Sequence, residues 1–186
     1  WILALIFLAL LYNLGGSALR RGLGPLLLSL CRSLSFSAGI LILLNPEDLA
    51  SSSALWAVGG YALYVLFLSR MASKEEEGGH GMNMLPFIGL MALSPLPFLQ
   101  MSESTSWVLI CGWLLLSAWL LYPALPDRHI FWVPERVQAA VRRSLTVMPI
   151  LPALALVAAG GHDAWLLAGI AIAAITVFLA SKMAPE

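Results

Sequence analysis

The chain has 186 residues, 60% of them hydrophobic and only 11% charged, and its ten basic and ten acidic residues cancel to a formal net charge of zero. With a mean hydropathy of +0.89, it carries more apolar surface than a soluble core can bury, so lipid is the expected solvent for much of it. A zero net charge without a basic block points away from nucleic acid, and two cysteines make no disulfide framework.

Backbone polar groups find no water in hydrocarbon, so spanning segments must be helices or closed barrels, and the apolar runs here are continuous rather than alternating. The expected fold is therefore an all-α integral membrane bundle, a single domain over 1–186 with about seven transmembrane helices. In chain order the spans fall at 1–13, 23–44, 54–69, 83–100, 106–122, 144–160 and 163–182. The first is short and begins at Trp1 without a charged flank, which reads as a fragment lacking its N-terminal helices. Pro86, Pro95, Pro97, Pro149 and Pro152 fall within spans, where they kink helices and free carbonyls that neighbours must satisfy.

The loops alternate in charge. Arg20 and Arg21 follow the first span, Arg70 and Lys74 the third, and Arg128, Arg136, Arg142 and Arg143 the fifth, while Lys182 closes the last. The intervening loops 45–53, 101–105 and 160–163 hold no Lys or Arg and carry Glu47, Asp48, Glu103 and Asp163. Basic loops favour the cytoplasmic side, so the chain is expected to be integral to a membrane with a cytoplasmic C-terminus. Loop 123–143, with Phe131, Trp132 and Val133 beside its arginines, reads as an interfacial anchor among lipid headgroups. Cys31 and Cys111 read as small packing residues, and His80, His129 and His162 stand in separate loops without zinc or haem spacing. Arg32 breaks the pattern, about ten residues inside the second span; its insertion cost of at least ~2.5 kcal/mol predicts that it faces a polar cavity in the bundle.

Three stretches carry a family likeness. YNLGGSALRRGLGPLLLSLCRSLSFSAG (Tyr12 to Gly39), YALYVLFLSR (Tyr61 to Arg70) and PERVQAAVRRSL (Pro134 to Leu145) resemble, in order and spacing, segments of UbiA-superfamily membrane prenyltransferases, most closely a bacterial branch with a GLCR-type motif. The resemblance implies transfer of an isoprenyl group from its diphosphate to a small acceptor within a helical bundle of nominally nine helices. It also implies Mg²⁺ held on the diphosphate by two cytoplasmic acidic motifs, with basic residues assisting. Carried onto this chain, the motif positions are Tyr12, Asn13, Tyr61, Ser69 and Ser73, and the diphosphate-binding residues are Arg20, Arg21, Arg32, Arg70 and Lys74. The chain departs from the family at Asn13, where the branch tends to have Asp, and at Ser69 and Ser73, where the second acidic motif has acids. Glu75 and Glu76 of the run Glu75–Glu77 are the nearest substitutes as metal ligands, on a loop that Gly78 and Gly79 would leave loose. The first acidic motif would lie upstream of Trp1. These departures leave a second expectation open, a non-catalytic membrane protein: an isoprenoid or lipid transporter, or a lapsed relative acting as a scaffold.

Overall fold

The computed structural model describes residues 2–14, 23–43, 52–100, 107–158, 169–172 and 174–175. They are mostly helical, with seven α-helices: α1 Ile2–Leu14, α2 Gly24–Leu43, α3 Ser52–Ala72, α4 Gly81–Leu93, α5 Trp107–Leu121, α6 Pro134–Val147 and α7 Ile150–Ala158. A short 3-10 helix, Leu96–Gln100, follows α4, and two short strands, β1 Gly79–His80 and β2 Phe131–Trp132, complete the chain order.

α3 is the hub. Its buried residues Ala57, Tyr61, Tyr64, Val65, Leu68 and Met71 recur at the three- and four-residue steps that keep one helix face inward. Against that face packs α2, where Ser29 Oγ donates to the Ala62 carbonyl at 2.6 Å and the Phe36 ring stands 4.7 Å from Tyr61. The connection after α4 crosses so close that a Cβ on Gly60 would collide with the Ser94 carbonyl, the small-residue device by which membrane helices approach. On a third side Tyr64 Oη donates to the Ser144 carbonyl of α6 at 2.6 Å.

Two prolines decide where helices stop. At the end of α4, Pro95 cannot donate to the Met91 carbonyl, which accepts from Ser94 N–H at 3.3 Å and Ser94 Oγ at 2.8 Å; the next carbonyl, Ala92 O, accepts from Trp113 Nε1 at 2.8 Å and Ser117 Oγ at 3.2 Å, both on α5. At the end of α6, Pro149 cannot donate to the Leu145 carbonyl, so Met148 N–H does so at 3.2 Å. That leaves Ser144 O without its helical donor, and the Tyr64 hydroxyl takes the place. The apolar run expected to span 144–160 is consequently two elements: α6 continues from Pro134 through Val147 and α7 begins at Ile150. Likewise the expected span 83–100 is α4 plus a 3-10 turn. The spans expected at 1–13, 23–44, 54–69 and 106–122 correspond to α1, α2, α3 and α5. The expected span 163–182 lies mostly outside the described residues.

Among the described residues two helical stretches, Leu55–Ala72 and Gly81–Leu99, are long and apolar enough to cross a membrane. Only 39% of each is buried, so their apolar surface is not consumed by a core. Leu63, Leu90, Leu93, Leu114, Leu115 and Trp119 also stand exposed among the described residues.

Candidate functional site: an ordered, cation-bearing end

The loops 70–82 and 123–143 meet. β1 and β2 pair antiparallel, Gly79 opposite Trp132 and His80 opposite Phe131, and Gly81 N–H donates to the Ile130 carbonyl at 2.9 Å. The C-terminal end of α3, the start of α4, the end of α5 and the start of α6 therefore share one end of the molecule.

Glycines make that junction possible. Gly78 adopts φ +69° and its N–H returns to the Lys74 carbonyl at 2.9 Å, closing the end of α3 in the left-handed conformation that suits glycine. A Cβ on Gly81 would lie 2.5 Å from Asp127 O and 2.8 Å from Trp132 Nε1. Into this space fits Trp132, 2% exposed, its Nε1 donating to Asp127 O at 2.9 Å. Trp132 is thus an internal clamp and not the headgroup anchor expected of it; its neighbours Ile130, Phe131 and Val133 are the exposed apolar residues of the segment. α6 carries the matching pattern, burying Val137, Val141, Ser144 and Val147 and leaving Glu135 and Arg142 outside.

The cations differ in their engagement. Arg136 pairs with Asp127 and stands 5.4 Å over the Trp132 ring. Lys74 pairs with Glu77 at 3.0 Å, an exposed pair of the kind that contributes at most about 1 kcal/mol. Arg128 Nε donates to His129 Nε2 at 2.9 Å. Among the described residues Arg70, Arg142 and Arg143 have no carboxylate partner, and Arg143 stands 5.6 Å over Trp119. A cleft of about 140 Å³ is lined by Trp132, Arg136, Ala140, Arg143 and Ser144, together with Ile88 and Leu120. It is large enough for a small anion and too small for an isoprenyl tail.

The residues singled out in the sequence are only partly brought together. Ser69, Arg70, Ser73, Lys74, Glu75 and Glu76 share the end of α3 and the turn behind it. Ser73 spends its hydroxyl on the Arg70 carbonyl at 2.7 Å. The glutamates sit in an ordered turn, Glu75 half-buried and Glu76 exposed; the loose loop expected from the glycines is replaced by the cap at Gly78. Tyr61 is buried on α3, against the Phe36 ring of α2. Arg32 is exposed on α2, on the flank of the face that carries Ser29 and Phe36. Tyr12 and Asn13 end α1, where Asn13 Nδ2 donates to Ala9 O at 2.9 Å. Arg20 and Arg21 lie outside the described residues.

Glu75 and Glu76 do not by themselves make a Mg²⁺ site. A hard cation of this kind takes converging carboxylates, and among the described residues no three His, Cys, Asp or Glu groups come together to hold a metal. Reasoning from the sequence passed over Tyr64, Asp127 and Ser144; Gly78 and Gly81 facing Trp132 across the ribbon were the available signal, but they belong to loops some fifty residues apart. Compared with protein families, curated proteins and solved structures, the chain matches none of them.

Proposed function

We propose that the chain is a polytopic membrane protein of about seven spans, a UbiA-like prenyltransferase that moves an isoprenyl group from its diphosphate to a small acceptor. The observation that carries this reading is the convergence of the three resembling stretches on α3. Ser29 and Phe36 of the first contact Ala62 and Tyr61 of the second, and Tyr64 of the second bonds Ser144 of the third. Stretches far apart in the chain are held together by polar bonds inside an apolar bundle, which supports reading them as one functional unit.

In the reaction the allylic C–O bond breaks, its electron pair leaves with the diphosphate, the isoprenyl carbon bonds the acceptor's nucleophilic atom, and the acceptor loses a proton. Arg70 and Lys74 are the cations that would meet the departing diphosphate, offsetting the partial negative charge of the α3 C-terminus. Mg²⁺, where bound, would neutralise the same charge; the described carboxylates do not form its site, and no step is assigned to it. The basic loops, taken with the likeness to a bacterial branch, support reading this end as the cytoplasmic side of a bacterial inner membrane.

A second reading is favoured by a specific observation: Ser69 and Ser73 stand where the family has acids, and among the described residues no three His, Cys, Asp or Glu groups converge to hold a metal in their place. A non-catalytic isoprenoid binder, transporter or scaffold would keep the bundle and lose the chemistry. Binding of a labelled isoprenyl diphosphate to the protein in bilayers, with and without Mg²⁺, separates the readings. The enzyme reading expects Mg²⁺-dependent binding, weakened about tenfold or more in Arg70→Ala, and label transfer to an acceptor pool of aromatic acids and quinone precursors. Binding without transfer moves the assignment to the second reading; no binding rejects both.

A further inference from the structure

α5 is apolar on every side, and among the described residues it buries little of itself: Leu114, Leu115 and Trp119 are exposed while Leu109, Leu116 and Leu120 face inward. Beside it runs an open groove of about 620 Å³, walled by Trp107, Cys111, Leu115 and Trp119 of α5, by Ile150 and Leu154 of α7, and by Ile170, whose neighbour Gly169 packs on Ala153. Gly112 sets its floor, since Leu154 Cδ2 lies 3.0 Å from where a Cβ would stand. The groove continues past Leu115 and Trp119 into a second recess of about 600 Å³ that reaches Tyr122 and Arg143. An apolar slot therefore ends at a cation. The Arg143 guanidinium is stacked on Trp119 and has no carboxylate partner among the described residues.

The dimensions fit one kind of occupant. Trp107 to Trp119 covers about 18 Å of helix at 1.5 Å per residue, close to one leaflet of a hydrocarbon core about 30 Å thick. The cation stands at the end joined to the basic loops, the side on which anionic lipid collects. A zwitterionic headgroup would bring its own cation to Arg143; an anionic one brings only the complementary charge.

We propose that this groove holds one acyl chain of an anionic phospholipid from the leaflet on the basic side, with the lipid phosphate at Arg143. The site shares no residue with the α3 terminus that carries Arg70 and Lys74, and it rests on the chain being membrane-embedded.

The full chain is reconstituted in bilayers of phosphatidylcholine and phosphatidylglycerol, and the lipids retained on release are counted by native mass spectrometry. Phosphatidylglycerol is retained over phosphatidylcholine roughly fivefold, the effect of one basic residue at an anionic surface. Arg143→Gln abolishes the preference, Arg143→Lys keeps it, and Leu115→Trp, which fills the groove from an exposed position, lowers retention of both lipids. Equal retention of the two lipids by the parent overturns the proposal. So does a preference that survives Arg143→Gln, or displacement of phosphatidylglycerol by added isoprenyl diphosphate, which would make the groove an isoprenoid channel. Failure of the chain to enter bilayers overturns the membrane reading as well, whereas entry without lipid preference overturns only this one.

Discussion

The breaks at Pro95 and Pro149 pose the same problem and are solved differently. Each proline removes a donor from the last turn of its helix, at the Met91 carbonyl for Pro95 and the Leu145 carbonyl for Pro149, and the carbonyls of that turn must find other donors. At the end of α6 a single donor answers, the hydroxyl of fully buried Tyr64, and it comes from the hub helix. At the end of α4 two donors share the Ala92 carbonyl, the Trp113 indole and the Ser117 hydroxyl, both partly buried on α5. One junction has no reserve and the other has a spare. The first also joins two of the three stretches that carry the family likeness, so the bundle is least tolerant where the proposed function is concentrated.

The largest effect is expected at the junction without reserve. Tyr64→Phe leaves the Ser144 carbonyl buried and unpaired and costs about 1.5 kcal/mol, between the value for an unsatisfied buried group in water-soluble proteins and the smaller one typical of membrane helices. It is read from detergent-titrated loss of the helical far-UV signal. Pro149→Ala in that background sharpens the comparison: a restored N–H at 149 can serve Leu145 O, releasing Met148 N–H for Ser144 O, so the double variant regains stability. A Pro149→Ala change that leaves the Tyr64→Phe loss intact would show that the hydroxyl was not covering a proline-freed carbonyl.

The spare at the other junction predicts smaller, non-additive losses. Trp113→Phe costs about 0.3 kcal/mol and Ser117→Ala less, because either donor still covers Ala92 O, while the double variant costs about 1 kcal/mol, well above the sum of the singles. Additive single effects would mean that the two bonds are not alternatives. Smaller than the double loss is Leu115→Ala on the outer face of α5, expected below about 0.5 kcal/mol in the same titration, since a side chain 71% exposed exchanges lipid contact for lipid contact and gains nothing from hydrophobic transfer.

How much of this was legible follows from which interactions are local. Helices α1, α2, α3 and α5 could be read from continuous apolar runs, because in lipid the helix is the only open-chain solution for such a run. Hydropathy gave no way to place the junction at Pro149, since Leu145, Val147, Met148, Ile150 and Leu151 are apolar on both sides of it. The Glu75–Glu77 run read as a loose loop for lack of one nonlocal fact, that Gly78 packs against the Trp132 carbonyl. Trp132 itself read as an anchor because aromatic residues beside arginines usually are; its burial depends on Gly81 and Asp127, which no short window contains. Arg32 was expected to face a polar cavity on cost alone, and it stands exposed on α2 among the described residues; cost does not fix which flank of a helix a long side chain takes.

The charge sorting of the loops and the β1–β2 pairing are independent observations that put 70–82 and 123–143 together, and they meet in one measurement. Single cysteines at positions 50, 76 and 129, in a background lacking Cys31 and Cys111, are labelled with a membrane-impermeant maleimide in sealed vesicles of known orientation. The account predicts that 76 and 129 label together from one side and 50 only from the other. Labelling of all three from the same side of intact vesicles would contradict it.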